Sequence, residues 1–62
     1  MVKKMWDYKF LDNESGEEFF VECESLRAAW QIVWENFGED CDIEYHGRYT
    51  VEEADILGLD TY

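Results

Sequence analysis

The stretch SLRAAWQIVWENFG, residues 25–38, gathers its apolar side chains in one conformation only. Leu26, Ala29, Trp30, Val33 and Phe37 recur at the i, i+3, i+4 spacing that lines one face of an α-helix. Ser25 precedes them as an N-cap, its hydroxyl placed to accept from an orphan backbone N–H. Gly38 follows, where a residue free to take positive φ ends the helix. A helix with one apolar stripe needs a second layer to bury it.

The flanking segments supply that layer. Residues 4–11, KMWDYKFL, alternate: Trp6, Tyr8 and Phe10 share one side, and Met5, Asp7, Lys9 and Leu11 the other. Period two with aromatic enrichment predicts a strand. DNESGE predicts a hairpin loop. Residues 17–24, EEFFVECE, alternate again, with Phe19, Val21 and Cys23 on one face and Glu18, Phe20, Glu22 and Glu24 on the other. Beyond the helix, EDCDIEYHG reads as a third strand. Cys41, Ile43 and Tyr45 point inward; Asp40, Asp42, Glu44 and His46 point outward. Gly47 marks a bulge or bend. Thr50 and Glu53 form a capping box, and VEEADILG reads as a short helix that Gly58 stops.

The expected fold is α+β, in the order β-β-α-β-α, over one domain spanning residues 1–62. Its sheet is three-stranded and antiparallel, in the order 2-1-3, with one face packed on the long helix. The other face is left to solvent or a partner. A chain of this size buries only about 60% of its unfolded surface. Trp6, Trp30, Trp34, Tyr8, Phe10, Phe19 and Phe37 are expected to compensate, since each aromatic ring can bury about 150–250 Å².

Charge is the second constraint. Sixteen Asp and Glu face five Lys and Arg, a net charge of −11. Self-repulsion of that kind opposes compaction and attracts cationic partners. Direct binding to nucleic acid is disfavoured, because affinity for phosphate comes from Lys and Arg. Anionic membrane surfaces are disfavoured for the same reason. No stretch approaches the ~20 apolar residues of a membrane span. The N-terminal MVKKMWDYKF lacks the apolar run of a signal peptide, so the expected compartment is the cytoplasm. The two cysteines form no CxxC pair and are read as reduced thiols.

The expected partner-binding face is the open side of the sheet. Glu18, Glu22 and Glu24 come from strand two, and Asp40, Asp42 and Glu44 from strand three. Same-face residues repeat every ~6.8 Å along a strand, so two such strands present two rows of carboxylates. Solvent faces of antiparallel sheets are ordinarily polar, and Lys9 between the rows can pair with them. Stability alone gives no reason for so many like charges. Phe20, Met5 and Leu11 share the face as apolar islands, which suits a protein interface.

Other chemistry is weaker. Asp42, Glu44 and His46 share a face that can ligate a metal, but Cys41 points away and there is no second histidine, so no metal is expected. DNESGEE fails as a calcium loop, because its glycine falls one place early and position twelve is Cys23. There is no nucleophile–base pair, phosphate loop or cofactor fingerprint, so no catalytic residues, no cofactor and no enzymatic activity are expected. Trp34, one turn from Trp30, could anchor a partner if exposed, but is expected to cover the sheet edge or to pack under the second helix.

The tail TVEEADILGLDTY resembles the ends of short uncharacterised proteins of bacteria and mobile elements. In size and charge the chain resembles phage DNA-mimic inhibitors of the anti-CRISPR and anti-restriction type. Those resemblances imply a stoichiometric inhibitor that blocks the cationic groove of a nucleic-acid-binding protein. The alternative is an accessory domain that homodimerises or docks through Phe20 and Met5.

Overall fold

The computed structural model describes residues 4–62. The elements follow as β1 (Trp6–Asp12), β2 (Glu18–Cys23), α1 (Leu26–Phe37), β3 (Ile43–Tyr49), α2 (Val51–Leu57) and β4 (Asp60–Thr61). They build an α+β fold around a mixed four-stranded sheet in the order β3-β1-β2-β4. β1 is antiparallel to both its neighbours, as expected.

The fourth strand corrects the three-stranded expectation. Gly58 takes φ 67 and ψ 24, the left-handed cap that turns the chain out of α2. The residues after it run parallel to β2 along its outer edge. The Tyr62 N–H donates to the Phe20 carbonyl at 2.7 Å, and the Glu22 N–H to the Tyr62 carbonyl at 3.4 Å.

The main core lies between α1 and the sheet. Tyr8, Phe10, Phe19, Val21 and Cys23 pack there with Ala29 and Val33 of the helix. Phe10 is at the centre. It meets Trp30 edge-on at 5.0 Å and stacks on Phe19 at 5.7 Å, geometries that suit the ring quadrupoles. The Ser25 hydroxyl accepts from the Ala28 N–H at 3.2 Å, so α1 begins where its cap predicts. It ends at Gly38, whose N–H donates to the Trp34 carbonyl at 2.9 Å. There φ is 91 and ψ 159, a region all but closed to side chains, in place of the expected left-handed cap.

β3 departs from its expected bounds. It starts at Ile43, and just before it the Asp42 carbonyl accepts from the Asn13 N–H of the hairpin loop. It continues to Tyr49 because a bulge carries it past Gly47. Phe10 pairs with Tyr45 and Lys9 with Gly47, which leaves His46 as the extra residue. Gly47 holds φ 120 at that point. The bulge turns Arg48 toward the α1 side, where its guanidinium lies 4.0 Å from the Trp6 ring.

The second face of the sheet is covered, against expectation. α2 lies across it with Ala54 buried, and Tyr49 meets Phe20 edge-on at 5.6 Å. Phe20 is 0% exposed. It is a core residue of this second layer and no part of a binding surface. The alternative contact through Phe20 falls with it. Trp34 stacks on Trp30 and stays exposed on α1, on the side of the sheet away from α2.

Candidate functional site

The expected acidic residues divide between two places. Glu22 faces α2 and lies beside Asp7, its partner in the β1–β2 register. Glu18 reaches diagonally to Lys9, with Oε2 2.7 Å from Nζ. Glu24 lies just past β2, at the opposite end of that strand from Glu18. Asp40 and Asp42 precede β3 in the connection from α1, and Glu44 is the second residue of β3. Two parallel rows on one open face therefore do not form.

What forms instead is an acidic end. The hairpin loop and the strand ends beside it carry Asp12, Glu14, Glu17 and Glu18, and the connection after α1 with the start of β3 carries Glu39, Asp40, Asp42 and Glu44. Asn13 joins the two. Its backbone N–H donates to the Asp42 carbonyl at 3.0 Å, and its Nδ2 donates to Asp42 Oδ1 at 3.1 Å. The loop is also braced from within. Asp12 Oδ1 accepts from the Glu14 N–H at 2.9 Å, and the Ser15 hydroxyl accepts from the Glu17 N–H at 3.2 Å. These local bonds are the ordinary reason for Asp and Ser in such a turn. His46 Nε2 lies 3.2 Å from Glu44 Oε2. The Glu44 carboxyl is held below its ordinary range, first by the bond with His46 and then by one with Asn13, so it is ionised at neutral pH.

The cations are sparse and mostly elsewhere. Lys4 and Arg48 lie against the Trp6 ring at 4.3 and 4.0 Å, at the far end of the sheet from the Asn13–Asp42 link. Lys9 is bound to Glu18. Carboxylates occur at both ends of the sheet, but these cations, Lys9 apart, lie away from the acidic end, which has little internal neutralisation.

A second feature lies under α2. A cleft of about 260 Å³ is lined by Asp7, Glu22, Ala54, Asp55 and Thr61, among others. Asp7 is 3% exposed, and its Oδ1 has no hydrogen-bond partner among the described residues. Burial, and then the charge of Glu22, pushes its carboxyl above the ordinary range. Alternation alone placed Asp7 among the wet outward residues. The signal for its burial was Thr50–Gly58, a capped helix that had to pack somewhere.

Among the described residues, no group of three or more His, Cys, Asp or Glu side chains is arranged to hold a metal ion. The trio Asp42, Glu44 and His46 is not brought together; only the last two touch. Among the same residues no helix is long and apolar enough to cross a membrane. No family model, no curated protein and no solved structure matches the chain.

Proposed function

We propose that this is a non-enzymatic acidic binding protein that occupies a basic groove of a nucleic-acid-binding protein, with carboxylates in the positions of phosphates. A host-defence protein is the partner we favour. The observation that carries the reading is the acidic end, where two carboxylate-rich connections are tied through Asn13 and Asp42. A charged surface held by backbone bonds loses less conformational entropy on docking than a loose acidic tail. Its field also speeds encounter with a basic surface.

The test is capture from bacterial lysate on immobilised protein, with two eluants. A mimic shares its groove with nucleic acid, so duplex DNA and salt should both release the captured protein. Glu14→Lys with Asp40→Lys should abolish capture, while Glu35→Lys with Glu52→Lys should leave most of it. Capture that DNA does not disturb, or equal losses in both double variants, would sink the reading.

A second reading has one specific observation in its favour. Ile56 is 85% exposed, and with Leu57, Tyr49 and Glu53 it shapes an apolar groove of about 260 Å³. Self-association would then run through α2 in place of the sheet face. Sedimentation at rising concentration separates the two: this reading expects a dimer that Ile56→Ser abolishes.

A further inference from the structure

We infer that the cleft between α2 and the β1–β2 pair is a receptor for an alkylguanidinium group, the side chain of an arginine on a protein partner. The inference rests on the proposed function only for the source of that arginine. The chemistry of the cleft is independent of it.

Three carboxylates line the cleft, Asp7 on β1, Glu22 on β2 and Asp55 on α2, and among the described residues no Lys or Arg lines it. An acidic cluster alone would be an ordinary wet surface. Asp7 makes the difference. It is only 3% exposed, and its Oδ1 accepts no hydrogen bond from the described residues. Buried carboxylate oxygens are almost always partnered, because leaving one unpaired is costly. Asp7 is one of the residues that line the cleft, so the cleft is the side from which a donor can reach this carboxylate.

The walls choose between cations. Val51, Ala54 and Leu59 give the cleft apolar sides. A guanidinium is planar, weakly hydrated and forked, so it can lie along such walls and bridge two carboxylates. Asp7 and Glu22 are direct partners in the antiparallel register and offer that pair of acceptors. A lysine ammonium loses more hydration on entering. The three carboxylates are not arranged to hold a divalent metal, since no group of three or more such side chains among the described residues is.

The experiment is an NMR titration of the full chain with N-acetyl-arginine methylamide at constant ionic strength. Saturable shifts are expected at the amides of Asp7, Glu22, Ala54 and Thr61. Asp7→Asn keeps the side chain's shape and should weaken binding at least about tenfold, the fold-change of one charge-assisted hydrogen bond. Glu22→Gln, at an exposed position, gives an independent loss if Asp7→Asn perturbs the fold. N-acetyl-lysine methylamide should bind more weakly than the arginine compound. Butylguanidinium separates a protein side chain from a free small molecule: if it binds more tightly than the blocked arginine, the partner assignment is overturned. Shifts that never saturate, that spread over the acidic end, that Mg²⁺ reproduces, or that survive both variants would overturn the site itself. The DNA-competition result is untouched by any of these, so the two ideas fail separately.

Discussion

Asp7 and Glu22 face each other across the β1–β2 ladder, and only the first is buried. Burial of the Asp7 carboxylate is the larger cost, and the opposed like charge of Glu22 adds to it. The Asp7 carboxyl consequently titrates above its ordinary value of 3.8. Below that value both folded and unfolded chains are protonated at this position, and there is no penalty. As pH rises from there through the higher folded value, the unfolded chain ionises first and stability is lost. Asp7→Asn should therefore stabilise the fold at neutral pH by about 1–2 kcal/mol, with its amide able to donate toward Glu22. That gain should shrink on acidification toward the ordinary carboxylate range. Urea unfolding of both proteins across the acid range checks the sign; a gain independent of pH would assign the effect to packing.

Phe20 tests the second layer. Its ring is fully buried between the sheet and Tyr49. Phe20→Ala should cost about 3–5 kcal/mol, which rivals the whole stability of a domain this small. Unfolding near room temperature is the expected outcome in thermal circular dichroism. A loss below about 1 kcal/mol would mean the face is open after all.

Thr50 holds the roof of the cleft. Its hydroxyl accepts from the Glu53 N–H, and the Glu53 carboxylate accepts from the Thr50 N–H, each at 3.2 Å. In a helix of seven residues this box is a large share of what orders the first turn. Thr50→Ala should cost about 1 kcal/mol. Hydrogen exchange should quicken at the Ala54 amide, which donates to the Thr50 carbonyl, and stay slow at the Ala29 amide of α1.

The two thiols should behave differently. β1 runs between β2, which holds Cys23, and β3, which Cys41 precedes, and both thiols are free. Cys23 is buried and its S–H donates to the Ser25 carbonyl at 3.2 Å. Burial, the larger effect, raises its pKa, which keeps it a poor nucleophile. Cys41 is only half-buried. Under native conditions an aromatic disulfide reagent should label Cys41 first and Cys23 only on unfolding, with no intramolecular disulfide formed on mild oxidation.

Local chemistry in the sequence located most elements. Ser25 and Gly38 bound α1, Thr50 and Gly58 bound α2, and the alternation around Phe10 and Val21 put the right side chains against α1. The fourth strand left no such mark. Asp60 and Thr61 are exposed and are placed by backbone pairing with β2, which is blind to side-chain pattern. The cover over Phe20 was hard to see for a related reason: α2 buries a single residue, Ala54, too little to show a periodicity. Phe20 itself was the clue, an aromatic ring in an otherwise charged row. The acidic end was legible as composition but not as geometry, because its two halves meet through Asn13, whose partner lies twenty-nine residues away.

The short parallel strand has a consequence for crowding. By pairing with β2 it satisfies backbone groups at Phe20 and Glu22 that would otherwise template a neighbouring chain. That leaves the outer edge of β3 as the long one without a strand partner among the described residues. There the His46–Gly47 bulge breaks the regular ladder, and Glu44 and Arg48 set charge along it. Two copies brought edge to edge would be out of step and would bring Glu44 side chains into the contact. The chain is thus built to resist cross-β stacking when it accumulates, even though its strands are rich in Phe, Tyr and Val.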